Sequence, residues 1–428
     1  MFKNREENLR DFVDARYGLF IHYGLYSLLG RGEWCLNKEM LDIDEYKQLA
    51  DRFTAENFDA DKICAMAKAA GMRYVCLTTM HHDGFMLYES NISDFCAAKT
   101  ACGRDLVEEM IIAARKHGLR IHLYHSLNHW TTSPDAVAAL EDQANYEQFM
   151  KFTFDHIREL VTKYNPIDVL WYDGWWPFNA DGWQAEKMNR MVSDIQPWIL
   201  FNGRNGLDGD FTTPERHMAA PSPWRPWEGC ITLNDSWGYV ANDKNWKSPA
   251  QVIQMLLTAA KGNGNLLLNV GPAPDGSIPA VNEKTLLEVG DWLKLNGEAI
   301  YQTEVFDMGL MERGDHRSDF SHFCDYTASG NNLYLIVKFW PGKTLTITGL
   351  QAVPERVSLL ASGETYEFEY NAEKGKFSIK GLPENAMGLL PVFKVECASP
   401  PEVYRCGGLR TPQVAHPPYD PCTSDIME

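Results

Sequence analysis

From residue 17 to about 300 the chain alternates between two hydrophobic rhythms. Short apolar runs stand at 19–24, 74–79, 120–126, 169–173, 199–202 and 265–270. Between them, at 61–71, 105–118, 145–164, 185–195 and 248–262, apolar residues recur every three to four positions. The first rhythm predicts strands buried on both faces, the second amphipathic helices. Stop signals agree, with Gly71, Gly118 and Gly262 closing three of the helical stretches. Strand-then-helix units with short connections imply a parallel sheet covered by helices. Roughly 280 residues of them suit a (β/α)8-like TIM barrel better than a single doubly wound sheet. No G-x-G-x-x-G or P-loop pattern follows a strand, so a nucleotide-binding fold has no support.

Past residue 303 the rhythm changes. Runs at 333–337, 344–347, 357–360, 366–370, 376–379 and 391–395 are short and separated by turn residues, which predicts a small antiparallel β-sandwich. Residues 399–428 carry Pro-Pro pairs at 400–401 and 417–418 and read as an extended tail. The expected organisation is therefore α/β: a (β/α) barrel over 1–302, a β-sandwich over 303–398 and a Pro-rich tail over 399–428.

Polar residues are not scattered over this frame. His22, His81-His82-Asp83, Tyr124-His125, Asp173 and Asn202 with Arg204 all follow apolar runs. That is the C-terminal end of each strand, the face that carries the active site in a TIM barrel. The run Val169-Leu170-Trp171-Tyr172-Asp173-Gly174-Trp175-Trp176 ends a buried strand in one carboxylate among four aromatic rings. A carboxylate there is expensive unless it is hydrogen-bonded, paired or used. Indole and phenol rings offer the amphipathic surface on which a sugar stacks. Taken alone, Asp173 fits an N-cap for the next helix equally well.

Composition narrows the chemistry. With 45% apolar and 23% charged residues in 428, the chain can bury a full core. Its 13 tryptophans are many and fit aromatic-lined pockets as well as core. A net charge of −18 repels phosphate backbones and argues against nucleic acid or an anionic membrane as partner. The ten cysteines form no C-x-x-C pair, and Cys64 and Cys76 lie in or beside apolar runs as buried thiols. No apolar leader opens the sequence, so a full-length chain is expected in the cytoplasm; a trimmed signal would make it secreted or periplasmic.

Carboxylate plus aromatics points to glycoside hydrolysis. Retention at the anomeric carbon needs a nucleophile and an acid/base roughly 5–5.5 Å apart. Asp173 is the candidate nucleophile. Glu33, Glu215 and Glu228 each lie beside an aromatic residue or in a Pro-marked loop and remain open as its partner. Five histidines, His22, His81, His82, His125 and His129, stand at or past strand ends, while His122 and His156 read as core. A metal site is the rival for the five. On an extended strand adjacent His81 and His82 would face opposite ways, and H-x-H and H-E-x-x-H are absent. Hydroxyl recognition suits neutral histidine better.

Several long motifs carry a family resemblance. They are Gly18-Leu19-Phe20-Ile21-His22-Tyr23-Gly24, Glu33-Trp34, His81-His82-Asp83-Gly84-Phe85, Gly103-Arg104-Asp105-Leu106, Leu170-Trp171-Tyr172-Asp173-Gly174 and Lys261-Gly262-Asn263-Gly264-Asn265-Leu266-Leu267-Leu268-Asn269. In this order, over about 17–300, the chain resembles the α-L-fucosidases of glycoside hydrolase family 29. The resemblance implies a retaining exo-fucosidase acting on fucosylated glycans, with no metal and no organic cofactor. It places the nucleophile on Asp173 and the acid/base on Glu215, 42 residues later. The implied fucose pocket is His22, Glu33, Trp34, His81, His82, Tyr124, Trp171 and Arg204, with Trp237 against the fucose methyl group. His125 departs from the pattern, since the family commonly has a second Tyr there. The aglycone wall is expected in the loops at 128–145 and 205–230, chiefly at Trp224-Arg225-Pro226-Trp227.

Overall fold

The computed structural model describes residues 4–304 and 323–402. Beyond Glu402, the Pro-rich tail lies outside the described residues. Seven strands form one parallel sheet: β1 (Tyr17–Ile21), β2 (Tyr74–Met80), β3 (Arg120–Ser126), β4 (Val169–Asp173), β5 (Leu200–Phe201), β6 (Glu228–Thr232) and β7 (Asn265–Val270). Their spatial order is β5-β4-β3-β2-β1-β7-β6, and every pair is parallel. Helices Ala60–Ala69, Leu106–Lys116, Gln143–Lys163, Ala185–Ile195, Pro249–Lys261 and Ala280–Asn296 return the chain between or after strands. Aspartates cap several of them; Asp59, Asp105 and Asp142 each accept from a backbone N–H three residues on.

The sheet closes through an irregular eighth position. Segment 211–216 lies between β5 and β6 and is bridged to both. The Asp210 N–H donates to the Phe201 carbonyl at 2.7 Å, and Glu228 N–H to the Thr212 carbonyl at 2.9 Å. Cys230 N–H reaches the Pro214 carbonyl and Arg216 N–H the Cys230 carbonyl, both at 3.0 Å. Pro214 has no N–H to give, so this stretch cannot complete a regular ladder. Below it, Phe12 of helix Arg5–Val13 is fully buried and closes the N-terminal end of the barrel against Phe211, 4.3 Å between centroids. The Arg5 guanidinium on Asp210 at 2.6 Å ties that helix to the irregular segment.

A second compact unit begins at Gln302. Strands β8 (Cys324–Ser329), β9 (Asn332–Val337), β10 (Leu345–Thr348), β11 (Pro354–Leu359), β12 (Phe368–Asn371), β13 (Lys376–Ile379) and β14 (Val392–Cys397) form antiparallel sheets of order β10-β13-β12 and β11-β14-β9-β8. Alternate residues of both sheets, among them Leu333, Leu335, Ile347, Phe377, Phe393 and Val395, fill one core between them. This is the expected sandwich with one more strand, β8, whose mostly polar sequence hides it.

Candidate active site

Strand parity decides which side chains meet. On β4, Trp171 and Asp173 share the face that looks into the barrel, while Tyr172 stacks outward on Phe201 at 5.8 Å. On β3, Tyr124 faces in and stacks on Trp171 at 5.6 Å. At the strand C-termini a cavity of about 160 Å³ opens, lined by Asp173, Glu215, Arg204, Glu33 and Tyr124, by His22, His81 and His82, and by Trp34, Trp171 and Trp237. All eleven residues expected in the site therefore converge. Phe20, Trp176 and Cys230 line it as well. Phe20 was legible by parity, two residues before His22, and Trp176 by its place in the Asp173 run. Cys230 sits on β6, a strand the sequence pattern conceals.

Asp173 is largely buried and fully partnered. The Tyr124 hydroxyl donates to Oδ2 at 2.8 Å and Arg204 Nη1 to Oδ1 at 2.9 Å, with His82 Nε2 at 3.7 Å. Burial alone would raise its pKa. The Arg204 charge, His82 and the two hydrogen bonds together outweigh it and hold the carboxyl below its ordinary value. The Arg204 guanidinium lies 4.8 Å over the Trp171 ring, and its second terminal nitrogen, Nη2, donates to Glu215 Oε2 at 2.8 Å. Asp173 and Glu215 thus occupy neighbouring nitrogens of one guanidinium. Their exposures differ: the Asp173 side chain is 13% accessible and that of Glu215 is 42%. Glu215, next to last in the irregular segment 211–216, stands at the mouth.

Of the other two candidate glutamates, one lines the cavity and one does not. Glu33 is buried on the cavity wall and accepts from Gly238 N–H at 2.8 Å. Glu228 is fully buried at the start of β6 and does not line the cavity. It accepts from the Tyr74 hydroxyl at 2.5 Å and from Trp171 Nε1 at 3.0 Å, and burial pushes its pKa up to about 7.

The histidine tautomers follow from their partners. Asn269 Nδ2 donates to the Trp237 carbonyl at 2.7 Å, which fixes Asn269 Oδ1 as the acceptor facing His22 Nδ1 at 2.6 Å. Ser126 gives its hydroxyl proton to the Asn128 carbonyl at 2.6 Å, so its oxygen accepts from His82 Nδ1 at 2.6 Å. In both rings Nδ1 carries the proton and Nε2 offers a lone pair. Burial lowers the pKa of His22 to about 3 and of His82 to about 4, so both rings are neutral acceptors at ordinary pH.

Three expectations need correction. His81 and His82 both line the cavity, with centroids 4.0 Å apart, because they follow β2 rather than extend it. His125 and His129 do not line it; they pack with His156 between β3 and helix Gln143–Lys163, His125 having the wrong parity. The Trp224–Trp227 stretch is not an aglycone wall. Trp224 and Trp227 both donate to the Gly262 carbonyl, at the end of helix Pro249–Lys261 and beside the start of β7, on the opposite side of the barrel. The aromatic wall consists of Trp34, Trp176 and, from the other expected loop at 128–145, Trp130, with Trp34 4.9 Å from Trp130 and 5.7 Å from Trp176.

A closed parallel barrel whose strand ends surround two buried carboxylates and one exposed one, with an indole belt, is the arrangement of a barrel glycoside hydrolase. The sequence model described as alpha-L-fucosidase matches residues 3–298. Plasma alpha-L-fucosidase of Rattus norvegicus is 33% identical over 333 residues, 69% of this chain and 71% of that protein. Alpha-L-fucosidase isoenzyme 1 from Paenibacillus thiaminolyticus matches in structure with a TM-score of 0.82 at 30% identity, covering 92% of this chain and 100% of that one. A GH29 alpha-L-fucosidase from Bacteroides thetaiotaomicron, solved as a trapped covalent intermediate with 2-fluoro-fucosyl fluoride, matches with a TM-score of 0.79 at 26% identity, covering 93% and 98%. The chain belongs to the α-L-fucosidase family, glycoside hydrolase family 29.

Proposed function

We propose that in this retaining exo-α-L-fucosidase Asp173 attacks the anomeric carbon of a terminal α-L-fucose while Glu215 protonates the departing oxygen. The observation that carries the reading is the shared Arg204, which holds a buried, ionised carboxylate and a half-exposed one around a single cavity. Asp173 is kept as the anion that a nucleophile must be, and its hydrogen bonds from Tyr124 and Arg204 fix its orientation. Glu215, at the mouth, has access to both leaving group and water. Once the fucosyl ester has formed, Glu215 takes a proton from the incoming water and fucose leaves with its configuration retained.

Cavity size supports exo action. About 160 Å³ is well under the 300–1,000 Å³ that larger organic ligands occupy, and it suits one pyranose ring. The Nε2 lone pairs of His22 and His82 and the carboxylate of Glu33 accept sugar hydroxyl protons, and Arg204 donates. Trp34 and Trp237 form the apolar sides, including the surface for the C6 methyl group. That methyl is worth about 1–3 kcal/mol of discrimination, so L-galactosides should react slowly rather than not at all. The substrates are fucosylated glycans.

The test is hydrolysis of 4-nitrophenyl α-L-fucoside. Asp173→Asn should lose on the order of 10³-fold or more in kcat. Glu215→Ala should lose most of its activity and regain turnover with azide, giving fucosyl azide. An active Asp173→Asn variant would overturn the nucleophile assignment, and an azide-insensitive Glu215→Ala variant the acid/base assignment.

A further inference from the structure

The cavity holds one ring, so the next sugar of any natural substrate must lie outside it, at the mouth. Trp175 adjoins that cavity along the chain. It is two residues past Asp173, and Asp173 and Trp176 on either side of it both line the cavity. Its indole is 50% exposed. Exposure of one large apolar residue means little by itself. Here the backbone under it is held on every side. Gly174 turns the chain with φ +68°, and a Cβ there would meet Ser126 Oγ at 2.6 Å and Asn128 N at 3.1 Å, so only glycine makes this turn. Trp183 Nε1 donates to the Trp175 carbonyl, and Asn128 Nδ2 donates to the Trp176 carbonyl at 2.9 Å. A tightly fixed main chain thus carries a half-bare indole two residues from the nucleophile in sequence and next to Trp176 of the Trp34–Trp130–Trp176 wall.

We propose that Trp175 is the platform on which the leaving-group sugar stacks, and so a specificity-determining residue of this enzyme. The occupant is a neutral pyranose, the residue to which fucose is attached. Its apolar ring face suits an indole, and the proposal rests on the fucosidase reading above. Because the main chain is fixed before substrate arrives, the platform loses little conformational freedom on binding, and its contribution appears in substrate affinity rather than in the bond-breaking step. Trp175 touches neither Asp173 nor Glu215 by any hydrogen bond, so its removal leaves the reacting groups in place.

The experiment compares wild type, Trp175→Ala and Trp175→Tyr on α-L-fucosyl fluoride, which has no sugar aglycone, and on fucosylated lactose. For Trp175→Ala, kcat/KM on the trisaccharide should fall about five- to tenfold, mostly through KM, while the value on the fluoride stays within twofold. Trp175→Tyr should recover most of the loss. An equal loss on both substrates, or no loss on the trisaccharide, would overturn the proposal. Wild type inert toward the fluoride would instead overturn the fucosidase reading, so the two failures are distinguishable.

Discussion

Two groups of three histidines lie within one barrel. His22, His81 and His82 line the cavity; His125, His129 and His156 pack between β3 and helix Gln143–Lys163. Burial makes both groups neutral: His22, His125 and His129 fall to about 3, His82 and His156 to about 4. Neither burial nor pKa separates them. Their partners and positions do. His22 and His82 spend Nδ1 on Asn269 and Ser126, leaving Nε2 for the cavity. His125 gives Nδ1 to Thr79, whose own proton goes to the Tyr124 carbonyl, His156 Nδ1 meets the Tyr88 hydroxyl at 3.1 Å, and His129 sits between Phe149 and Phe152, each at 4.5 Å. For His22 and His82 a second residue fixes Nδ1 and the turn after the strand leaves Nε2 to the cavity, whereas His125, with Nδ1 fixed as well, is turned outward by its place on β3.

That contrast can be broken by substitution. His82→Phe should lower kcat/KM about 100-fold, the order expected when a buried acceptor for a sugar hydroxyl is lost. His129→Phe should change it less than threefold. Similar losses in steady-state assays of the two variants would erase the distinction. A smaller effect tests the orienting partner. Ser126→Ala leaves the His82 Nδ1–H without its acceptor and should lower kcat/KM about tenfold with little change in melting temperature. An unchanged value would mean that the tautomer lock is dispensable.

The smallest effect is on stability, and there both groups should count. Histidines with folded pKa values near 3 to 4 bind fewer protons than the unfolded chain between those values and about 6.5. Stability should therefore fall as pH drops through that window, by up to about 1.4 kcal/mol per pH unit per histidine. Urea unfolding at pH 7 and pH 5 should show a shallower pH slope for His129→Phe than for wild type. An equal or steeper slope would show that His129 is not held neutral.

Much of this was legible in the sequence. Both sheets of the sandwich and six barrel strands carry their own periodicity, and all eleven expected site residues reached one cavity. What escaped did so for physical reasons. The eighth barrel position, 211–216, is held by single bridges around Pro214 and has no strand period. β6 follows a Pro- and Trp-rich stretch that reads as a loop, and with it Cys230 was hidden. Trp224 and Trp227 looked like an aglycone wall because aromatic content is local, whereas the end of the barrel a loop occupies is set by helix direction. His125 could have been set aside from the start, since Tyr124 already claims the inward face of β3.

The central claim is that Asp173 forms the covalent bond to fucose. The most direct measurement is to incubate the enzyme with 2-fluoro-fucosyl fluoride, digest it and locate the adduct by mass spectrometry. The account predicts one fucosyl ester, on the peptide containing Asp173, and none in Asp173→Asn. An adduct on Glu33 or Glu215, or stoichiometric inactivation with Asp173 unmodified, would contradict it.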